Sequence, residues 1–265
     1  MDKERRRCHM AKHSSLGDRM KKYENAYRNY LPERMPVIIR IDGAHFHTYT
    51  KGMGKPFDKD IANAFWEACK YLLSNISGAK LAYHQSDEIS ILVTNYDKLT
   101  TQSWFENNLQ KLVSVSASLA TARFNEVMRQ THPEKELAIF DARAYVMPKE
   151  DVNNYFLWRE RDAMKNSVSM VAQSHFSNKS LHGLNGIQMQ EKLWREEGVD
   201  YSTLPTWQRQ GVVVKKEKIL AEETAESLQQ PVYRSVWQVD FDIPVFSDNP
   251  GYIEQYVFLD ERVTV

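Results

Sequence analysis

The chain has 265 residues, enough for one large domain with its own hydrophobic core. Its 35 basic and 35 acidic residues give zero net charge, which excludes a strongly basic protein and leaves only local patches for nucleic acid. Its two cysteines exclude a disulfide framework and a cysteine-rich zinc site. Apolar runs fall short of the roughly 20 residues that cross a bilayer, and the basic start lacks the apolar stretch of a secretory signal. We therefore expect a cytoplasmic protein without membrane contact.

Residues 1–20 show no periodicity and are predicted to form a flexible basic tail, and a first folded domain is predicted at 21–148. Apolar spacing and turn residues predict its elements in chain order: a strand at 37–41, a helix at about 58–76, strands at 80–84 and 88–94, a helix at about 101–130 and a strand at 137–147. This order is βαββαβ, the ferredoxin-like arrangement of an antiparallel sheet with helices on one face. The predicted fold class is α+β.

The pattern changes to helices beyond Pro148. Helices are predicted at about 150–176 and 186–197, followed by two strand-like segments that resemble a terminal β-hairpin. We assign residues 149–265 to a mostly helical C-terminal subdomain that ends in this hairpin.

Acidic residues stand at the ends of two predicted strands that the topology makes neighbours. The first and third strands of this fold run antiparallel, so Asp42 is expected beside Asp87 and Glu88. Converging carboxylates beside a glycine suit magnesium, and two such ions can serve phosphoryl transfer. Asp42 and Asp87 are the candidate ligands of both ions, with the Gly43 carbonyl as an additional ligand. The alternative is that these acids are ordinary turn and hairpin residues.

The loop after the first strand begins with small residues, whose backbone amides suit a triphosphate. The candidate nucleotide-binding residues are Asp42, Gly43, Ala44, His45, Phe46, His47, Lys55, Ser86 and Asp87. Each of them also fits a surface or structural role when taken alone, and the histidines lack the spacing of a zinc site.

Five segments together resemble the histidine-tRNA guanylyltransferase superfamily. They are RIDGAHFH at 40–47, KPFD at 55–58, YHQSDEIS at 83–90, FDAR at 140–143 and LWRERD at 157–162. They occur in order over about half of the chain. The resemblance implies a polymerase-like palm that extends RNA in the reverse, 3′-to-5′ direction.

The resemblance also implies roles for the matched residues. Two magnesium ions bind Asp42, the Gly43 carbonyl and Asp87, with Glu88 close by as a catalytic carboxylate. Lys55 is a candidate for phosphate binding, and candidates for contact with the tRNA or its 5′ end are Arg143, Arg159, Lys165 and Asn166. ATP activates a 5′-monophosphate, and the 3′-hydroxyl of an incoming nucleotide then displaces the activating group. The family implies a homotetramer.

One departure from the family pattern is informative. Histidine-tRNA guanylyltransferases carry a His-Ile-Asn-Asn-Leu-Tyr-Asn segment where this chain has Met164-Lys165-Asn166-Ser167-Val168-Ser169-Met170. The chain therefore resembles the guanylyltransferase-like branch of bacteria and archaea, which implies template-dependent repair of 5′-truncated tRNA with ATP, GTP and other nucleotides. The alternatives are addition of one guanosine to histidine tRNA, a palm-type nucleotidyl cyclase and an RNA-binding module without activity.

Overall fold

The computed structural model describes residues 15–220 and 233–258. A six-stranded antiparallel sheet forms its centre, with strands β1 Val37–Gly43, β2 Ala79–Gln85, β3 Glu88–Val93, β4 Phe140–Val146, β5 Val212–Leu220 and β6 Tyr233–Asp240. The α-helices are α1 Ser15–Asn25, α2 Phe46–Tyr49, α3 Lys59–Asn75, α4 Leu109–Thr131, α5 Lys149–His175, α6 Asn178–Leu181, α7 Gly186–Lys192, α8 Thr206–Arg209 and α9 Gly251–Glu254. Shorter 3-10 or π turns lie at Trp104–Asn107, Leu193–Glu197 and Tyr201–Thr203.

The strand order is β4-β1-β3-β2-β5-β6, and β1 pairs antiparallel with both β3 and β4. The predicted βαββαβ core and the α+β class are therefore confirmed. Residues 15–20, expected in the tail, are helical, and residues 1–14 of that expectation lie outside the described chain. Within the described chain, the helices are too short or too polar to span a membrane.

Helices α3 and α4 cover one face of the sheet with an apolar core. Val37, Ile39 and Ile41 of β1 point to this face because side chains alternate along a strand. Phe65 of α3 and Phe124 of α4 are fully buried there, each worth roughly 1.5–3 kcal/mol of transfer free energy. The Asp58 carboxylate caps α3 by accepting the backbone amides of Asp60 and Ile61 at 3.0 and 3.1 Å, which fixes where this helix begins.

The second face of the sheet is also covered, whereas the sequence suggested helices on one face. Helix α5 and the segment 243–257 pack on it and bury Ile38, Leu81 and Leu92. These strand residues alternate with the residues of the first face and are apolar themselves, so they require a cover as well. The sheet is therefore a middle layer between two groups of helices.

The terminal hairpin forms as predicted from β5 and β6, but it extends the central sheet. Strand β5 pairs with β2, joining Leu81–His84 to Val212–Lys215. Val212, Val213 and Val214 are buried by this pairing, which explains why an apolar strand lies so late in the chain. The division into a palm at 21–148 and a subdomain at 149–265 stays a prediction, since this hairpin belongs to the same sheet as the palm strands.

Candidate active site

Two carboxylates converge where β1 ends and β3 begins. Asp42 lies across from Glu88 in the β1–β3 register, and the amide of Gly43 donates to the carbonyl of Asp87 at 3.0 Å. Ser86 turns the chain with a left-handed φ of 52°, and its hydroxyl donates to the Asp87 carboxylate at 3.1 Å. The strand ends therefore hold Asp42 and Asp87 at one edge of the sheet.

The electrostatics of this edge suit a cation. Burial raises the pKa of Asp87, and the neighbouring charge of Asp42 raises it further. Two adjacent anions in a partly desolvated place are unfavourable alone and become favourable once a divalent ion neutralises them. The described residues contain no cluster of three or more acidic, histidine or cysteine side chains arranged for a metal. The donors are therefore two carboxylates and main-chain oxygen, which fits magnesium that keeps several water ligands.

Glu88 is engaged differently from the two aspartates. Its Oε1 accepts the Arg159 Nε at 2.8 Å and the Ser90 hydroxyl at 3.1 Å, and its Oε2 lies 2.7 Å from the Arg40 Nη2. The Glu88 side chain is only 4% exposed. Burial raises its pKa, and the charges of Arg159 and Arg40 oppose that shift. Both oxygens of the predicted catalytic Glu88 are therefore bound to arginines.

Arg40 connects this buried ion pair to the acidic edge. Its Nη2 lies 3.5 Å from the Asp42 Oδ2 as well as close to Glu88. Its buried Nε has no hydrogen-bond partner within the described part of the chain. Arg40 thus shares its charge between Glu88 and Asp42, and it was missed in the sequence because a single arginine in an apolar strand carries no spacing signal.

The loop from Gly43 to His47 lies close to the core. The ring of Phe46 packs against Phe65, Phe124 and Phe140 at centroid distances of 5.4 to 5.6 Å. A Cβ on Gly43 would lie 2.2 Å from that ring, so only glycine allows the loop to fold back so tightly. Phe46 therefore anchors the loop.

The backbone amides of the loop that were predicted to bind a triphosphate fall into two sets. Those of Gly43 and Ala44 already donate to the carbonyls of Asp87 and Ile139. Those of Phe46 and His47 begin helix α2, after His45 in a left-handed conformation, and the first amides of a helix have no intrahelical acceptor. The second set is the one that remains for an anionic ligand.

A cavity of about 380 Å³ opens beside Asp87, whereas Asp42 is not among the residues that line it. The predicted residues that line it are Phe46, His47, Lys55, Ser86, Asp87 and Asn166. Apolar side chains that the sequence analysis missed complete it, among them Ile61, Met170 and Trp207. A mostly apolar lining with a few polar groups is the usual composition of a pocket for an organic ligand. Trp207 lies on the four-residue helix α8, which is too short to show a periodic signal.

His84 also lines the cavity. Its ring stacks on Phe65 at 4.5 Å, and its Nε2 donates to the carbonyl of Ser86 at 3.1 Å. Burial lowers its pKa to about 4, while the hydrogen bond to Ser86 opposes the shift. His84 is therefore neutral at pH 7 and supports the turn that carries Asp87.

The four residues predicted to contact tRNA separate in the structure. Arg143 is exposed on β4 beside Arg40, and Lys165 is exposed on α5. Asn166 lines the cavity. Arg159, by contrast, is buried with 5% side-chain exposure and is paired with Glu88 and Asp162. A surface contact with tRNA does not fit this placement, because the guanidinium would have to leave a buried counter-ion.

The antiparallel sheet with paired carboxylates at the ends of β1 and β3 has the arrangement of a polymerase-like palm. A family model described as tRNAHis guanylyltransferase (Thg1) matches residues 17–148. The chain belongs to the tRNAHis guanylyltransferase family, whose members are nucleotidyltransferases.

Relatives of this family resemble the chain over most of its length. A bacterial Thg1-like protein, solved in complex with ATP, is 62% identical with a TM-score of 0.85, over 93% of this chain and 100% of that chain. A bacterial Thg1-like protein in complex with GTP is 57% identical with a TM-score of 0.78, over the same shares. The tRNA(His) guanylyltransferase of Schizosaccharomyces pombe is 30% identical over 215 residues, 76% of this chain and 80% of the relative.

Proposed function

We propose that this enzyme adds nucleotides in the 3′-to-5′ direction to the 5′ end of truncated tRNA and copies the opposing strand. The observation that carries the proposal is the neighbouring pair Asp42 and Asp87, of which Asp87 lines a cavity together with Lys55, Ser86 and apolar side chains. Bacterial relatives solved in complex with ATP and with GTP support nucleotide binding by this chain. Membership of this family leaves the cyclase and the inactive binding module without support.

The proposed reaction has two transfers. The 5′-monophosphate of the RNA attacks the α-phosphate of ATP, so that pyrophosphate leaves and the 5′ end is activated. The 3′-hydroxyl of the incoming nucleotide then attacks the 5′-phosphate of the RNA, and AMP leaves. An RNA with a 5′-triphosphate undergoes only the second step and releases pyrophosphate.

The residues of this chain have distinct parts in these transfers. Asp42 and Asp87 would hold magnesium, and the bound ion would neutralise charge on the phosphates and lower the pKa of the attacking hydroxyl. Lys55 and the amides that begin α2 would bind the triphosphate, and Arg143 the 5′ end of the RNA. Glu88 keeps Arg40 and Arg159 in place and so preserves the acidic edge.

Template copying is proposed because the segment that marks guanosine addition is replaced here. The Tyr201 hydroxyl donates to the Ser167 hydroxyl at 3.1 Å and lies 3.5 Å from the Met164 carbonyl. The Ser167 hydroxyl and the Met164 main-chain carbonyl thus help to hold the 201–203 turn against α5. Because the family segment is absent here, we infer that base pairing selects the nucleotide. A wrong pair sacrifices hydrogen bonds in a partly desolvated site, which gives discrimination of about 1–3 kcal/mol.

The test uses tRNAs that lack the first nucleotide and carry each of the four bases at the opposing position. They are incubated with magnesium and all four nucleoside triphosphates, and the products are sequenced. We expect the Watson-Crick partner in each case, with the Asp87→Ala variant as the inactive control. Guanosine against every base would instead assign the chain to guanosine addition, the activity named for the Schizosaccharomyces pombe relative. The homotetramer and the cytoplasmic location stay predictions.

A further inference from the structure

An exposed tryptophan stands beside the proposed site. Trp158 on α5 is 53% exposed and lies outside the buried apolar clusters of the described residues. The guanidinium of Arg159 lies 4.4 Å from its ring centroid and that of Arg40 lies 5.9 Å away, while Tyr155 meets it edge-on at 5.9 Å. Cations and an aromatic neighbour thus fix the orientation of this ring while more than half of the residue stays open to solvent.

The position of the ring follows from its neighbours. Arg40 connects it to the acidic edge, because the Arg40 Nη2 lies 3.5 Å from the Asp42 carboxylate. Arg40 is also paired in register with Arg143, so both arginines project from the same face of the sheet. Trp158, Asp42 and the exposed Arg143 therefore surround one surface, with a single guanidinium between the indole and the carboxylate.

We propose that Trp158 stacks on the 5′-terminal base of the RNA substrate and so positions the 5′-phosphate at Asp42 and Asp87. The inference rests on the proposed function and adds a positioning residue to it. A base and its own 5′-phosphate are held on one nucleotide, and the surface offers an aromatic ring next to cations and the acidic edge. The terminal base would lie on the Trp158 ring, and the terminal phosphate would lie at the acidic edge beside Asp42.

The chemistry of stacking also suits an enzyme that copies a template. The terminal base differs from one substrate to the next and changes after each addition. Every base has a π-face, so an aromatic side chain accepts all four without reading hydrogen-bond patterns. A polar side chain at this place would favour particular bases, whereas the indole leaves selection to pairing.

Photochemical cross-linking locates the base directly. A truncated tRNA carries 5-iodouridine either at its 5′-terminal position or two positions further along, and is bound to the wild-type protein without nucleotides. After irradiation and digestion, we expect the terminal probe to be attached to Trp158 and the internal probe not to be. A terminal probe attached elsewhere, or both probes attached equally, would overturn the proposal.

Variants separate stacking from packing on the arginines. Trp158→Leu keeps apolar cover over Arg159 but removes the π-face, and we expect about tenfold weaker RNA binding. Trp158→Phe should restore most of the affinity. The matched control is Trp194→Ala, since Trp194 is 61% exposed in the turn at Leu193–Glu197. Wild-type affinity of Trp158→Leu, or equal losses in Trp158→Leu and Trp194→Ala, would contradict stacking.

Kinetics add a readout that a merely structural role would not give. Trp158→Leu should raise the KM for tRNA about tenfold and leave kcat nearly unchanged, whereas a distorted acidic edge would lower kcat. The two proposals also fail separately. A wild-type protein that adds nucleotides without a Trp158 cross-link removes the stacking alone, and a protein that binds tRNA through Trp158 without adding nucleotides removes the proposed activity alone.

Discussion

The two faces of the central sheet differ in what they bury. The face under α3 and α4 is a continuous apolar core, with Phe46, Phe65 and Phe124 in mutual contact. The face under α5 buries apolar residues such as Ile38 and, beside them, a charged network in which Glu88 binds Arg40 and Arg159; we call it the charged face. Strand β1 contributes to both, because Ile41 and Asp42 are adjacent and point to opposite sides.

The difference shows how one strand serves stability and chemistry together. Apolar burial contributes stability that does not depend on pH or metal, whereas a buried ion network is weak support for stability and strong support for a fixed geometry. The charged face ends at Asp42, where geometry matters most. We therefore expect substitutions on the apolar face to change the free energy of unfolding and those on the charged face to change the reaction as well.

The largest effect is expected at the acidic edge. Asp42→Ala and Asp87→Asn should each reduce nucleotide addition about a thousandfold or more, because the ions that neutralise developing charge lose a ligand. Magnesium should raise the Tm of the wild type and not that of the variants. The exposed Glu150→Gln serves as the control and should behave like the wild type. Near-normal addition by either variant at saturating magnesium would remove the metal assignment.

The stability of Asp87→Asn without magnesium has an expected sign. Burial and Asp42 raise the pKa of Asp87 in the folded protein above its unfolded value. Such a carboxyl contributes its full stability at a pH below its pKa in the unfolded chain. The contribution to the free energy of unfolding is lost as the pH rises through the higher pKa of the folded protein. At pH 7, which is above the unfolded pKa, Asp87 therefore disfavours folding, and Asp87→Asn should be at least as stable as the wild type in denaturant titrations.

A second prediction compares one residue from each face. Glu88→Ala leaves two arginines without their buried partner, and Phe124→Ala leaves a cavity, so each should cost about 3–5 kcal/mol in the free energy of unfolding. Only Glu88→Ala should raise the magnesium concentration for half-maximal rate, because the released Arg40 then pairs with Asp42 and competes with the ion. Glu88→Gln, which keeps hydrogen-bonding capacity, should lie in between. An equal magnesium dependence in all variants would show that the charged face is only structural.

A third prediction concerns a titratable ring on the apolar face. Burial lowers the pKa of His84 to about 4, so the unfolded chain binds a proton between about pH 4 and pH 6.5 that the folded chain does not. Stability should fall in that window as the pH falls, by on the order of 2 kcal/mol. Denaturant unfolding at pH 7 and at pH 4.5 should show a smaller loss for His84→Gln than for the wild type. The exposed His182→Gln should keep the wild-type loss, and identical losses for His84→Gln would contradict the burial argument.

Local sequence signals predicted the parts of this molecule that depend on neighbouring residues. The helix expected at about 58–76 is observed at Lys59–Asn75, since regular apolar spacing and the cap at Asp58 act locally. The turn pair Asp42-Gly43 after an apolar run likewise placed the end of β1 and hence the neighbours of Asp42.

Contacts between distant parts of the chain could not be predicted from local sequence patterns. The pairing of β2 with β5 is decided by burial of Val212–Val214 against a sheet formed much earlier in the sequence, and no local period encodes it. The same is true of Arg159. The sequence suggested a cation that binds RNA, but in the structure Arg159 on α5 forms an ion pair with Glu88 on β3. An isolated charged residue gives no indication of whether a counter-ion will be buried beside it.

The last and smallest prediction tests whether the exposed cations Lys55 and Arg143 bind phosphates during the reaction. Lys55 lines the cavity and Arg143 has 58% side-chain exposure, so their interactions are partly screened by solvent and salt. Lys55→Ala and Arg143→Ala should slow nucleotide addition about tenfold, as expected for loss of a charge-assisted hydrogen bond, while tRNA binding weakens less. Controls are Lys51→Ala in the same loop region and Arg129→Ala on α4, both exposed.

The substrate separates the two cations further. Lys55→Ala should raise the KM for the nucleotide with either kind of RNA, because the triphosphate is present in both reactions. Arg143→Ala should slow addition to 5′-monophosphorylated and 5′-triphosphorylated RNA at saturating nucleotide, because the 5′-phosphate reacts in each case. Raising the salt concentration should reduce the difference in rate between each variant and the wild type. Salt weakens the attraction between cation and phosphate in the wild type, and the variants already lack this attraction. Equal losses in rate and in tRNA affinity would assign both residues to general RNA attraction instead.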